Sequence, residues 1–575
     1  MNNRRTFSLG LQSFILVAIL ASGALLYSQS ASDLPQEVVA YADMVFYNGK
    51  VITADGDFTI AEAVAVRDGK FLALGNSQRI LAMAGPSTRR VDLEGRSVIP
   101  GLIATHQHDY VGNTSKAGTR ITARDVDGIL EELRTGVAGL IPGEHAYFSG
   151  PSIAPLMCHN LDPGVPCVKL AQLDTVAPDN PLAITLQNNQ VIVNSRMLEL
   201  IPLDASGVLK DEQGRPTGQL RGGAGGIVAY EIMPWHDDIF GASVAEEIEN
   251  LKRWPPRGIT TLMGRGQGQA VTVLRELWLA GKLETRIRIV HEFLRQNPRP
   301  EMFLKRMGNL TGLGDDWFKI IGATTQAADG EAFTSRARLN LGENDSYGVY
   351  GNDKWGETGD LATSDRLNII LANRYGWSLK GYHTAGDRAN DRMLEAFAEA
   401  NREKPLAGRH FGYDHNEMVQ RKHIDAMREM GVVTAVRGSS FRGNNSGLVR
   451  EFGADAVNEM GLIKTLIDNG VHPTIETGEG LEAIQEFMLR TTEDGRVWNP
   501  DEKVSRQEGL WMYTLWGAAY SGEQDTLGSI EPGKLADLVV LGGDYMEWPA
   551  EELGTLRILM TVVGGKTVYE TRGAF

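Results

Sequence analysis

The stretch SVIPGLIATHQHDY, Ser97–Tyr110, joins an apolar run to two histidines. The run Val98–Ile103 is broken by Pro100-Gly101 and indicates a buried strand. His106 and His108 follow with one residue between them. Because side chains alternate along a strand, both imidazoles face the same side. Two imidazoles aimed at one point after a buried strand indicate a metal site.

Length and charge restrict the class of protein. The chain has 575 residues, of which 42% are hydrophobic and 23% are charged. This composition is typical of a soluble globular protein with two or three domains. The formal net charge of −16 repels phosphate backbones, which argues against a nucleic-acid partner.

The first thirty residues indicate an export signal. Arg4-Arg5 precede the apolar stretch Phe14–Tyr27, which is shorter than the roughly 20 residues of a membrane span. Small residues at Ser28 and Ser30 place the cleavage site near residue 30. NRRTFSL resembles a twin-arginine signal, so the expected location is the periplasm or the exterior, with no stable membrane partner after signal removal. An uncleaved N-terminal anchor is the alternative.

The two cysteines, Cys158 and Cys167, lie close together in CHNLDPGVPC. In an exported protein, two cysteines that close a short loop with a Pro-Gly turn indicate a disulfide. A metal site that also uses His159 is the alternative, although it lacks a fourth ligand.

The pattern of strands and helices divides the chain into two domains. Short alternating strands with Asn-Gly and Asp-Gly turns predict a small β-sandwich built from both chain ends, residues 38–98 and 521–575. Strand–helix alternation over residues 99–520 predicts an α/β fold, a TIM (β/α)8 barrel. The segment at about 116–257 fits this alternation poorly, so we interpret it as an insertion that covers the barrel mouth.

Two further histidines follow apolar stretches of the same kind. His383 lies in LKGYHTAGDRAND and His415 lies in GRHFGYDHNEM. Barrel enzymes build active sites at the carboxyl ends of strands, so these histidines could converge with His106 and His108. Neutral imidazole suits Zn2+ or another divalent metal, and both one and two ions are compatible with this set.

Several motifs together resemble the amidohydrolase superfamily. VIPGLIATHQH resembles its metal-binding start, and GSIEPGKLADLVVL resembles its C-terminal signature. GRPTGQL, GITTLM and HTAGDRAND, in this order, resemble the YtcJ-like branch, the amidohydrolase 3 group that includes N-substituted formamide deformylase. The resemblance runs from about Ala42 to the C-terminus.

The resemblance implies roles for individual residues. His106 and His108 match the pair that binds the more buried metal, while His383 and His415 match the ligands after the fifth and sixth strands. Lys319, in DDWFKIIGA, matches a lysine that is carboxylated and bridges the metals in related members. A desolvated lysine loses its proton more easily, which makes this chemistry feasible. A strand lysine that reaches solvent is the alternative.

Two departures from the family pattern bear on the predicted catalytic and substrate-binding residues. An Asp after the eighth strand, which is a metal ligand and proton shuttle in the family, is absent from NGVHPTIETGEGLEAI. Glu476 is the nearest carboxylate and the candidate for this catalytic role, with Glu479 as the next. Asn188 and Asn189 stand where relatives usually have Gly-His, and Asn189 is expected to hydrogen-bond a substrate oxygen.

The predicted function is that of an exported metal-dependent amidohydrolase. It would hydrolyse a C–N bond of an amide, formamide or cyclic amide in a small-molecule substrate, using a metal-activated water. One alternative is a catalytically degenerate periplasmic binding or regulatory protein on the same fold. Another is a hydrolase of lactones or esters. The assembly is left open, with a homodimer as one option.

Overall fold

A computed structural model describes most of the chain after the predicted export signal, which lies outside the described residues. The described residues are 40–107, 110, 119–150, 166–186, 190–205, 207–220, 222–228, 232, 239–266, 268–292, 300–324, 365–384, 386–438, 461–492 and 495–575. Within these ranges, none of the helices combines the length and the hydropathy that a membrane crossing requires.

The N-terminal strands are short and are joined by tight turns. They are β1 (Ala42–Tyr47), β2 (Lys50–Ile52), β3 (Ile60–Ala61), β4 (Ala63–Arg67), β5 (Lys70–Gly75), β6 (Ala84–Asp92), β7 (Ser97–Pro100) and β8 (Leu102–Gln107), with helix α1 (Ser77–Leu81) between β5 and β6. The turn between β4 and β5 uses Asp68 and Gly69, both with positive φ, at 52° and 74°. This is the backbone conformation that an Asp-Gly hairpin turn requires.

The apolar run of Ser97–Tyr110 is divided between two sheets. β7 pairs with β2, whereas β8 pairs with a strand of the following parallel region. Gly101 stands between them, and a Cβ atom there would lie 2.1 Å from the Thr260 hydroxyl oxygen. Glycine therefore permits the close approach at which the chain passes from one sheet to the next.

A separate mixed sheet follows β8 in the chain. Its strands are β9 (Thr119–Arg120), β10 (Ala146–Ser149), β11 (Leu182–Thr185), β12 (Val191–Val193), β13 (Val208–Lys210) and β14 (Pro216–Leu220), accompanied by helices α2 (Val126–Val137), α3 (Leu170–Val176), α4 (Ser195–Leu198) and α5 (Gly222–Ile227). The strand order is β13-β14-β12-β11-β10-β9. This sheet lies within the segment interpreted as an insertion, and its strands are too short for the sequence pattern to reveal them.

Parallel strands form two further sheets, one of which contains β8. The other members are β15 (Ile259–Gly266), β16 (Arg286–Glu292), β17 (Phe318–Thr324), β18 (His383–Thr384), β19 (Gly412–His415), β20 (Val433–Val436) and β21 (Pro473–Ile475). The strand orders are β17-β16-β15-β8 and β18-β19-β20-β21. The helices of this region are α6 (Ile239–Leu251), α7 (Gly268–Leu279), α8 (Pro300–Met307), α9 (Asp365–Arg374), α10 (Asp387–Glu403), α11 (Arg421–Met430), α12 (Ile463–Asp468), α13 (Leu481–Leu489), α14 (Arg506–Met512) and α15 (Leu515–Ser521).

Backbone contacts connect the edges of the two parallel sheets. On one side, an isolated parallel bridge pairs Ala323 of β17 with Leu379, shortly before β18. On the other side, the His106 N–H of β8 donates to the Glu476 carbonyl just after β21, at 3.1 Å. These two junctions bring the carboxyl ends of both sheets to one place.

The C-terminal strands complete the sheets that the N-terminal strands begin. They are β22 (Leu538–Leu541), β23 (Ile558–Val563) and β24 (Lys566–Glu570). The two sheets have the orders β5-β4-β1-β6 and β24-β23-β22-β7-β2-β3, so both chain ends share the second sheet. Phe46, Val64, Val98 and Val562, from four different strands, are fully buried in one apolar cluster between these sheets.

The parallel strands are buried on both faces. Ile289 of β16 packs into the large apolar cluster that also contains residues of the helices, such as Phe397. Its neighbour Val290 points to the other side and packs in a smaller cluster with Met263 and Tyr520. Burial on both faces is typical of parallel strands covered by helices, and it fixes the direction of each side chain at the strand ends.

Candidate metal centre

Three of the predicted ligands meet at the carboxyl ends of the parallel strands. His106 lies in β8, His383 begins β18 and His415 ends β19. The ring centroids of His383 and His415 are 3.9 Å apart, and those of His106 and His415 are 4.9 Å apart. His108, the fourth predicted ligand, lies outside the described residues. The fold thus gathers histidines that are far apart in sequence.

A buried carboxylate holds His415. The His415 Nδ1 lies 2.9 Å from Glu476 Oε2, and the His415 backbone N–H donates to Glu476 Oε1. The φ of His415 is 73°, in the left-handed region that costs free energy for a residue other than glycine. Because Glu476 accepts from both the ring and the backbone, it stabilises this conformation. The other ring nitrogen, Nε2, is buried and has no hydrogen-bond partner in the described part of the chain.

A second buried carboxylate, Asp414, holds His106. The His106 Nδ1 is hydrogen-bonded to Asp414 Oδ2, and the Tyr520 hydroxyl donates to Asp414 Oδ1. Asp414 directly precedes His415, and strict alternation would place these two side chains on opposite faces of β19. The positive φ of His415 breaks the alternation, so both side chains approach His106. The sequence reasoning missed Asp414, whose only signal is its position beside a predicted ligand in YDHN.

Burial favours the neutral form of His106 and His415. Removal from water lowers the pKa of His106, and it lowers the pKa of His415 far below the usual value. Nearby positive charge, including that of Arg265, acts in the same direction on both rings. Burial also raises the pKa of Glu476. Neutral imidazole is the form that binds divalent metal ions.

The nitrogen atoms of this site fit a divalent metal ion. A histidine that donates its Nδ1–H to a carboxylate presents Nε2 as a metal ligand, and both His106 and His415 carry such a carboxylate. The buried Nε2 of His415 is the atom expected to face a metal. By themselves, the described His, Cys, Asp and Glu side chains form no group of three with the spacing of a metal site. His108, which lies outside the described residues, is the further ligand that the sequence predicts.

Lys319 does not lie with the histidines. It is the second residue of β17, whose carboxyl end is Thr324, and its Nζ lies 2.6 Å from Glu523 Oε1. Two residues further along the same face, Ile321 packs against the apolar cluster that contains Met263. This layer separates Lys319 from the carboxyl ends. The position disagrees with the predicted role of a carboxylated lysine that bridges metals, because Lys319 instead neutralises a carboxylate near the amino ends of the strands.

A different lysine, Lys380, is enclosed within the fold. Lys380 is 1% exposed, and its Nζ donates to the His410 carbonyl oxygen. The Nζ also lies 5.6 Å from the ring centroid of Tyr520. Burial lowers the pKa of Lys380 to about 7. The alternation in WSLKGYH does not reveal this position, because Gly381 has a φ of 64° and interrupts the strand pattern.

Replacing Lys380 by methionine is expected to stabilise the protein, and more so at lower pH. A lysine whose pKa falls from 10.5 to about 7 on folding binds its proton more strongly in the unfolded chain, so the parent loses stability as pH falls through this window. Between about pH 9 and about pH 7.5, the advantage of Lys380→Met should widen by about 2 kcal/mol. Urea denaturation at both pH values measures it. An advantage independent of pH would contradict a buried, largely neutral Lys380, and exposed Lys252→Met is the control.

The remaining predicted site residues lie mostly outside the described part of the chain. Asn189 and Cys158 are both outside it. Cys167 takes part in a disulfide, and its pairing with Cys158 stays a prediction. Glu479, the alternative to Glu476, is exposed and accepts a hydrogen bond from the Thr477 hydroxyl.

Comparison with known proteins gives consistent matches over most of the chain. A family model described as amidohydrolase family matches residues 89–569. The chain is 25% identical over 575 residues to N-substituted formamide deformylase of Arthrobacter pascens, covering 92% of this chain and 99% of that protein. It is 24% identical over 558 residues to the YtcJ protein of Bacillus subtilis, covering 92% and 99%.

A solved structure supports the fold independently. The crystal structure of an uncharacterized metal-dependent hydrolase from Pyrococcus furiosus superposes with a TM-score of 0.62 at 20% identity. The match covers 88% of this chain and 100% of that one. At this identity the similarity concerns the fold.

Proposed function

Because the chain belongs to the amidohydrolase family, we propose that it is a metal-dependent hydrolase that cleaves a C–N bond of an amide, formamide or cyclic amide. The observation that carries this proposal is the environment of His415. Its ring lies against those of His383 and His106, and its Nδ1 is fixed by Glu476. Its Nε2 is buried without a hydrogen-bond partner among the described residues.

The proposal includes the architecture that presents this site. The eight parallel strands are taken as one (β/α)8 barrel, since hydrogen bonds join the edges of their two sheets. The two terminal sheets, with an apolar cluster between them, are taken as a β-sandwich. In such a barrel the carboxyl ends of the strands carry the chemistry, and that is where the three histidines lie.

The residues of the chain have distinct tasks in this proposal. His106, His108, His383 and His415 would hold the metal, Zn2+ or a similar divalent ion. When bound, such an ion polarises a carbonyl group and makes water a nucleophile near neutral pH. Asp414 and Glu476 fix the ring orientation of His106 and His415, and their burial keeps competing water away from these hydrogen bonds.

Glu476 has a different task from the predicted proton shuttle. Both of its carboxylate oxygens contact His415, one through the ring and one through the backbone N–H. With 1% of the side chain exposed, it has little access to a substrate. We therefore assign Glu476 as a positioning residue for His415.

The substrate class rests on family relationships. One relative of similar length is named for its action on N-substituted formamides, which supports a C–N bond as the target. Asn189 is proposed to hydrogen-bond the substrate oxygen, as its side-chain amide allows. Lactones and esters remain the second candidate class, because the same metal chemistry serves them.

A substrate panel tests the proposed function. Protein loaded with Zn2+ would be assayed with N-substituted formamides, cyclic amides, lactones and esters, with and without prior chelation. The expected result is turnover of at least one C–N substrate that chelation abolishes and Zn2+ restores. Turnover of lactones or esters alone would reject the C–N assignment. A metal-loaded protein that binds amides without hydrolysing any substrate would support the binding-protein alternative.

The variant Glu476→Gln is expected to weaken metal binding. Only one side-chain atom of glutamine, Oε1, can accept, so His415 loses either its ring contact or its backbone contact and is held less firmly. We expect a decrease in Zn2+ affinity of about 10- to 100-fold, measured by competition with a chromophoric chelator. Glu479→Gln, at an exposed carboxylate three residues away, is the control and should bind Zn2+ as the parent does. Unchanged affinity with a large loss of turnover would instead return Glu476 to the role of proton shuttle.

Export is a separate part of the proposal. The basic start and short apolar stretch of residues 1–30 support delivery to the periplasm or the exterior. An exported protein would also accommodate the disulfide between Cys158 and Cys167.

A further inference from the structure

Tyr520 connects the helix that follows the last parallel strand to the metal centre. It lies in α15, and its hydroxyl donates to Asp414 Oδ1. The other carboxylate oxygen, Oδ2, is hydrogen-bonded to His106 Nδ1. The three side chains therefore form a continuous series from the phenol to the imidazole.

The direction of each hydrogen bond follows from the backbone. The Gly381 N–H donates to the Tyr520 hydroxyl oxygen at 3.1 Å, and a backbone amide can only donate. The hydroxyl oxygen accepts from this amide, so its own proton must be donated to a different group. Asp414 Oδ1 is the acceptor that this proton meets. With Asp414 Oδ1 occupied by the phenol, Oδ2 is the oxygen that faces His106 Nδ1, and as an acceptor there it favours the tautomer protonated at Nδ1.

Burial protects these hydrogen bonds from competition by water. Asp414 and Tyr520 are 0% exposed and His106 is 6% exposed, so water does not compete for these contacts. Gly381 also contributes by its small size, since a Cβ atom there would lie 3.5 Å from Asp414 Oδ2 and 3.3 Å from a side-chain carbon of Arg265. The carboxylate is thereby enclosed between the phenol and the imidazole.

We propose that Tyr520 and Asp414 are positioning residues that hold His106 in the tautomer protonated at Nδ1, which leaves Nε2 as the metal ligand. The inference rests on the proposed function in that it requires a metal at the histidines. It assigns a task to Tyr520, which no site motif in the sequence contains. His106 and His415 are then fixed by two independent carboxylates, and only the first depends on α15.

The variant Tyr520→Phe tests this inference through metal affinity. Removing the hydroxyl leaves Asp414 Oδ1 without its donor and weakens the hold on His106. We expect Zn2+ to bind about 10-fold more weakly in chelator competition, and the visible spectrum of the Co2+-loaded protein to change. The matched control is Tyr545→Phe, because Tyr545 is also 0% exposed and its hydroxyl donates to the Arg506 carbonyl at 3.0 Å. Both variants should lose similar stability in urea, but only Tyr520→Phe should lose affinity.

A second variant keeps the test decisive if Tyr520→Phe folds poorly. Asp414→Asn retains the size of the side chain, and its amide nitrogen would donate to His106 Nδ1 and force the proton to Nε2. We expect about a 100-fold loss of Zn2+ affinity. Affinities of all folded variants within about twofold of the parent would overturn the inference while the proposed function stands. A parent that binds no Zn2+ would overturn both.

Discussion

Replacing His415 by alanine is expected to abolish metal binding and turnover together while the chain stays folded. The His415 ring contacts those of His383 and His106, with centroids 3.9 and 4.9 Å away, and its Nε2 is buried. Without His415, the metal site loses the ligand that contacts both of the other described histidines. We expect a decrease in turnover of on the order of 1,000-fold or more, equivalent to about 4 kcal/mol in the activation barrier. Zn2+ content after gel filtration and hydrolysis of the best C–N substrate measure the two effects.

His423→Ala is the control for this variant. The side chains of His423 and His415 are equally buried, each 3% exposed, and each contacts a carboxylate. His423 lies in α11 and pairs with Asp391 at 3.0 Å, away from the cluster. Its loss should cost stability but leave Zn2+ binding intact. Retention of both Zn2+ and turnover by a folded His415→Ala would remove His415 from the metal centre.

Replacing Glu523 by alanine is expected to destabilise the fold strongly without involving the metal. Glu523 accepts from Arg288 Nη2 at 3.1 Å and from Lys319 Nζ at 2.6 Å. Arg288 is 0% exposed in its side chain, so removal of Glu523 leaves a buried positive charge without its carboxylate. Breaking a buried ion pair on one side costs about 3–5 kcal/mol. The free energy of unfolding, from urea titration monitored by tryptophan fluorescence, is the measurement.

Lys319→Met is the companion variant. It removes one cation but leaves the pair of Arg288 and Glu523, so the expected loss of stability is at most about 1 kcal/mol, as for a partly exposed ion pair. Its Zn2+ content should equal that of the parent, because Lys319 lies below the histidines. Loss of Zn2+ in Lys319→Met would reinstate the lysine as a metal ligand. Near-parent stability of Glu523→Ala would contradict the buried network.

The fold could be anticipated where the pattern is long, and not where one apolar run serves two purposes. RANDRMLEAFAEANRE predicts an amphipathic helix, and α10 occupies this stretch. VIPGLI reads as one strand, yet Gly101 divides it between a terminal sheet and a parallel one. Both environments are apolar, so hydrophobicity alone does not distinguish them. The mixed sheet of β9 to β14 is missed for a related reason, because strands of two to five residues carry little periodicity.

The candidate site shows the same division. Histidines at strand ends are visible in the sequence because both residue type and context are distinctive, and the structure brings His106, His383 and His415 together. The partners of these rings are not visible, since Asp414 depends on the left-handed φ of His415 and Tyr520 comes from a helix more than 100 residues away. The sequence predicts Lys319 at the metal centre because a motif identifies the strand but not the position of a residue along that strand. Register and side-chain direction are tertiary properties.

The metal content of the parent tests the central claim most directly. Protein purified without chelator or affinity tag would be submitted to elemental analysis, beside the double variant His106→Ala/His108→Ala. The metal-centre account predicts about one or two equivalents of Zn2+ or another divalent metal per chain in the parent and almost none in the variant. A folded parent that contains no metal, and takes up none when Zn2+ is added, would contradict it.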